Sequence, residues 1–136
     1  MKGFLMLPVI NSEEFNNLLN LREILINQSK YSFLFGSIAQ RKSKKVNDID
    51  ICAVVPEENK DYVINLLRDN LSSSYFFVDD LKAYTSPPRN NYSHRMIHVS
   101  CACENDLKLN LPQIDTIKRK NIIPLENLNG SANFKS

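Results

Sequence analysis

The residues most able to do chemistry lie close together in the first half of the chain. An apolar run, Phe33-Leu34-Phe35, ends in Gly36-Ser37. Ten residues follow, from Ile38 to Asn47, and then comes Asp48-Ile49-Asp50-Ile51. A buried strand that ends in Gly-Ser must turn sharply, and glycine lets an anion approach the backbone closely. The free N–H groups of such a turn and the Ser37 hydroxyl suit phosphate oxygens. Asp48 and Asp50 stand two apart, so on a strand both carboxylates point to one face, while Ile49 and Ile51 point to the other and anchor it. Two carboxylates on one face repel, and a divalent cation between them removes the penalty. Mg²⁺ takes one or two protein carboxylates and completes its shell with water and substrate phosphates. The arrangement therefore suits in-line attack on a triphosphate.

These groups need elements to position them. Asn11 as cap and Glu14 at the third helical position form a capping box, and Phe15, Leu18, Leu19, Leu25 and Ile26 make one stripe, which predicts a helix over 12 to 28. Residues 31 to 35 read as a buried strand and 49 to 55 as a second, broken by Pro56. Val63, Leu66 and Leu67 predict a helix over 59 to 71. Further strands are expected over 75 to 85, with a polar interruption at Asp79-Asp80, and over 95 to 103. Pro112 opens a short helix to Lys120. The fold class is α/β (α+β): a small mixed sheet with flanking helices. One domain is expected over 1 to 124, with 125 to 136 as a frayed tail.

Composition sets outer limits. The chain has 136 residues, enough for one domain. Its 43% apolar content supports one ordinary core, and a net charge of +2 does not favour a nucleic-acid coat or a membrane surface. No apolar run reaches the ~18 residues of a membrane span, and the apolar start lacks a full signal-peptide pattern. Three cysteines, Cys52, Cys101 and Cys103, have no metal-finger spacing and suggest reduced thiols and a cytoplasmic location.

The segment from 33 to 55 resembles the signature of the DNA polymerase beta-like nucleotidyltransferase superfamily: an apolar strand, Gly-Ser, a spacer of about ten residues, then Asp-x-Asp on an apolar strand. Ile38-Ala39-Gln40-Arg41 also resembles the family's continuation after Gly-Ser. The resemblance implies that Gly36, Ser37 and Arg41 bind a nucleoside triphosphate, ATP or another, and that Asp48 and Asp50 bind Mg²⁺ (or Mn²⁺). It implies transfer of a nucleoside monophosphate, AMP being expected, to a hydroxyl acceptor. It also implies a stand-alone member working with a separate small helical protein.

The family carries a third acidic residue on a later strand, and here two places compete for that role. The strand His94-Arg95-Met96-Ile97-His98-Val99 puts His98 at the matching position. The other candidate is Asp79 or Asp80. A neutral histidine, with an unperturbed pKa near ~6.5, accepts a proton but brings no negative charge to a hard cation. With His98 in that position, the alternative is a catalytically degenerate binding module. The basic loop Arg41, Lys42, Lys44, Lys45 is either solvated or an attractor for an ATP tail or RNA. Lys82 and Arg95 are further candidates for facing the site.

Overall fold

The structure, a computed structural model, describes residues 10–40, 48–85, 87, 93–119 and 122–128. It is a mixed α/β fold: a five-stranded mixed sheet with four α-helices among the described residues. Helix α1 (Ser12–Gln28) begins at the expected capping box, with Asn11 and Glu14 exchanging side-chain and backbone hydrogen bonds. It buries Phe15, Leu18, Leu21 and Leu25. Strand β1 (Tyr31–Phe35) ends at Gly36, and a single-turn helix α2 (Ser37–Gln40) follows. Strand β2 (Asp48–Val54) leads into α3 (Lys60–Asn70), and β3 (Phe76–Asp80) and β4 (Met96–Ala102) come next. Helix α4 (Pro112–Arg119) and a two-residue strand β5 (Ile123–Pro124) complete the order.

The strand order is β3-β4-β2-β1-β5. β2, β4 and β3 run parallel, and β1 lies antiparallel to β2 and to β5. Because side chains alternate across a strand, the sheet has two distinct faces. Leu34, Ile49, Ile51, Ala53, Ile97, Val99, Cys101, Phe76 and Val78 point to one side, where α1 and α3 complete the main core. Phe33, Phe35, Cys52, Val54 and Ala102 point to the other, against Leu81 and Ile114. That second apolar patch is smaller, and polar side chains occupy the rest of its face.

Strand β3 is shorter than expected. It stops at Asp80, where the Asp80 carboxylate caps a 3₁₀ turn, Leu81–Ala83, by accepting the Lys82 N–H. At the other end of the chain, Leu125 and Leu128 are buried in the main core, and the Arg22 guanidinium donates to both of their carbonyl oxygens. The folded unit therefore runs at least to Leu128, beyond the boundary expected at 124. Residues 129–136, expected as a frayed tail, lie outside the described residues. Among the described residues no helix is long and apolar enough to cross a membrane. The three cysteines are buried and free.

Candidate functional site

The site forms where β1 ends and β2 begins. Antiparallel pairing sets Phe35 opposite Asp50, so the turn at Gly36 falls beside the Asp50 side chain. Gly36 has φ +74°, the left-handed region that favours glycine. A Cβ at this position would stand 2.9 Å from Asp50 Oδ2, closer than real Cβ contacts come. The carboxylate thus occupies the space that the missing side chain leaves. Gly36, Ser37 and Asp50 line one small cleft of about 210 Å³ with Phe35, Tyr84, Gln113 and Thr116. Ser37 is exposed and Asp50 half-buried.

Asp48 lies two residues back on the same face of β2 and is also half-buried. Burial raises its pKa above the usual carboxylate value, the Asp50 charge raises it further, and His98 pulls the other way. The two carboxylates and the imidazole therefore share one electrostatic neighbourhood.

Parallel pairing sets His98 of β4 directly beside Asp50. Its side chain is fully buried. Nε2 lies 2.9 Å from Asp79 Oδ2; an ionised carboxylate only accepts, so Nε2 carries the proton. Asp79 Oδ1 accepts the Ser100 hydroxyl at 2.7 Å, and its Oδ2 accepts the Thr85 N–H at 3.3 Å. On the other side Nδ1 stands 3.4 Å from Asp50 Oδ1, within ion-pair reach, yet it is buried with no hydrogen-bond partner. Burial pulls the imidazole pKa down, but the carboxylates of Asp50 and Asp79 outweigh it and push it up to about 9. The two carboxylates therefore favour the protonated ring.

Tyr84 closes the arrangement. Its ring stacks on His98 with centroids 4.7 Å apart, and its hydroxyl donates to Asp50 Oδ1 at 3.3 Å. Burial and the adjacent Asp50 charge raise the phenol pKa, so Tyr84 stays a neutral donor.

Of the residues singled out from the sequence, Gly36, Ser37 and Asp50 line the cleft; His98 stands against Asp50, and Asp48 shares the strand face of Asp50 but is not among the residues that line the cleft. The structure does not bring Asp80 there. Adjacent strand residues face opposite ways: Asp79 shares the face of His98, whereas Asp80 accepts from the Lys60 ammonium at 3.1 Å and caps the turn after β3. Arg41 and the rest of the basic loop, 42–47, lie outside the described residues. Arg95 is committed to a bidentate pair with Glu14, and Lys82 lies nearest Asp106, at 3.9 Å. Tyr84, Ser100, Gln113 and Thr116 were not singled out for the site. Tyr84 stands in an irregular stretch after a turn, where no periodicity marks it. Gln113 and Thr116 share a helix face, but nothing local says what that face meets.

Two carboxylates share one face of β2, and one of them packs against the Gly36 turn. They do not make a cage by themselves: among the described residues no three His, Cys, Asp or Glu side chains converge on one point. Neither family models, nor curated proteins, nor solved structures give a match to this chain.

Proposed function

We propose that this chain is a minimal nucleotidyltransferase-type domain, which binds a nucleoside triphosphate and transfers its nucleoside monophosphate to a hydroxyl. ATP is the expected donor and pyrophosphate the product. The observation that carries this reading is the packing of the Asp50 carboxylate into the space left by Gly36, with both residues lining one cleft beside Ser37.

Each residue has a role in that reading. The Asp50 carboxylate fills the space beside Gly36, so the exposed Ser37 hydroxyl is the group of this turn that donates to phosphate oxygens. Asp48 and Asp50 would hold the divalent cation, Mg²⁺ or Mn²⁺, which neutralises the polyphosphate and stabilises the leaving oxygen. Tyr84 orients Asp50 and shields His98 from the cleft. Gln113 and Thr116 of α4 form the facing wall. The resemblance adds a small helical protein as the expected source of the acceptor hydroxyl.

A second reading has its own observation. With His98 read as the counterpart of the family's third carboxylate, Asp79 behind it is closed by His98, Ser100 and Thr85. Among the residues lining the cleft, Asp50 is the one acidic side chain. This favours a module that binds the nucleotide without turning it over.

Incubation with labelled ATP, GTP, CTP or UTP and Mg²⁺, with Asp48→Ala plus Asp50→Ala in parallel, separates the two readings. Transfer lost in the double variant supports the enzyme. Binding without transfer supports the module. Failure to bind any triphosphate defeats both.

A further inference from the structure

The side chains around the cleft have already spent most of their protons. Gln113 and Thr116 both line it and stand three apart on α4, so they share one helix face. The Gln113 amide nitrogen donates to the carbonyl oxygens of Leu81, at 2.9 Å, and Lys82, at 3.4 Å. Both partners are acceptors, so the amide cannot turn to present its N–H groups, and Oε1 is what it has left to offer. The Thr116 hydroxyl donates back to the Pro112 carbonyl at 3.2 Å, which leaves the lone pairs of its oxygen. The Tyr84 hydroxyl donates to Asp50 Oδ1 at 3.3 Å, and an ionised Asp50 only accepts. The exposed Ser37 hydroxyl brings the remaining side-chain proton of the lining.

The wall on the α4 side therefore offers acceptors and asks for donors. A ligand that lies against it takes the place of solvent and must return the hydrogen bonds it displaces, or those oxygens are left unpaired at a cost. The two α4 acceptors are neutral, and Asp50 already receives the Tyr84 proton. The demand is thus for neutral donors, hydroxyls rather than an ammonium ion. Phe35 and Tyr84 add aromatic surface beside these oxygens, the mixture of apolar wall and few polar groups that orients a small ligand. The cleft volume of about 210 Å³ equals about seven waters at ~30 Å³ each, room for one sugar ring. We propose that the α4 wall is a sugar-hydroxyl site, in which Gln113 Oε1 and Thr116 Oγ1 accept from two hydroxyls of one ring. The ring is either the ribose of a nucleoside triphosphate or a free sugar. The ribose source rests on the proposed function, with Ser37 on the phosphates; the hydroxyl site itself needs neither a nucleotide nor a cation.

The test uses the full chain with two sets of probes. Isothermal titration with Mg²⁺ compares ATP with 2′,3′-dideoxy-ATP, and saturation-transfer NMR reads the binding of free ribose and free glucose. With ribose as the source, ATP is expected to bind about tenfold tighter than its dideoxy analogue, as two lost hydrogen bonds imply. Thr116→Val keeps the shape and removes one acceptor, so it should narrow that ratio to about threefold. With a free sugar as the source, ATP and dideoxy-ATP bind alike, and ribose or glucose gives a saturation-transfer signal that weakens in Thr116→Val. The wild-type chain alone can refute the inference, without any variant having to fold: equal binding of ATP and dideoxy-ATP, together with no signal from either sugar, overturns it and leaves the nucleotide reading standing. An ATP preference or a sugar signal that persists unchanged in folded Thr116→Val also overturns it. Sugar binding that weakens in Thr116→Val, with no binding of any triphosphate, keeps the hydroxyl site and removes the nucleotide. No binding of either probe set defeats both readings.

Discussion

Replacing Gly36 with alanine probes both reasons for a glycine at this turn. The backbone stands at φ +74°, and a residue with a Cβ in the left-handed region costs about 1–2 kcal/mol. The new methyl would also meet Asp50 Oδ2 at 2.9 Å. That contact is relieved if the carboxylate swings away, but Asp50 Oδ1 is tied to the Tyr84 hydroxyl and stands beside His98 Nδ1. Losing the tyrosine hydrogen bond adds about 1 kcal/mol. The expected destabilisation is therefore about 2–3 kcal/mol, a fall in Tm of about 8–12 °C for a chain of this size. Circular dichroism melts measure it, and triphosphate binding, measured on the same sample well below its Tm, should weaken sharply. Gly36→Asn separates the two causes. Asparagine tolerates the left-handed region, so much of the stability should return, while its Cβ still displaces Asp50 and binding stays poor. An alanine variant as stable as wild type, or an asparagine variant that binds nucleotide normally, would refute the packing argument.

Two further perturbations test other parts of the molecule. His98 has a folded pKa of about 9, above its unfolded value near ~6.5. Its stabilising contribution is therefore complete below about pH 6.5, declines as pH rises and is gone above about pH 9. In chelator, the wild-type Tm should fall across that window more steeply than that of His98→Gln, and parallel curves would contradict the assignment. Lys60 is buried between Asp106 at 2.8 Å and Asp80 at 3.1 Å, and the Asp106 side chain is only 6% exposed. Lys60→Met strands that carboxylate and should cost about 3 kcal/mol in urea unfolding. Lys60→Met with Asp106→Asn should cost clearly less than the two single changes together, and strict additivity would show that the pair is not coupled.

How far the sequence reveals this arrangement depends on whether a residue's surroundings are local. The capping box at Asn11 and Glu14 is a four-residue pattern, and α1 begins there. The two-residue period of Asp48-Ile49-Asp50-Ile51 fixes which side chains share a face, and the strand obeys it. Strand pairing is less accessible. His98 matches the third position by pattern, but only the β2–β4 register shows that it touches Asp50. The Asp79-Asp80 pair is ambiguous because Phe76, Phe77 and Val78 are all apolar, so alternation does not mark the core face. The Lys60 ion pair and the His98 contact resolve the two carboxylates to opposite sides. Leu125 and Leu128 look like a weak apolar tail, yet Arg22, a hundred residues away in the chain, secures their carbonyls. Such long-range contacts leave no periodic trace.

Isothermal titration of the chain with ATP, in the presence of Mg²⁺ and again of Mn²⁺, most directly tests the proposal that the turn at Gly36-Ser37 and the carboxylates of Asp48 and Asp50 bind one polyphosphate–cation unit, with tripolyphosphate as a base-free competitor. The expected result is saturable, metal-dependent binding that tripolyphosphate displaces and that disappears in Asp48→Ala plus Asp50→Ala, while the variant's circular dichroism stays unchanged. Binding that survives in the folded double variant, or no metal-dependent binding by the wild-type chain, would contradict it.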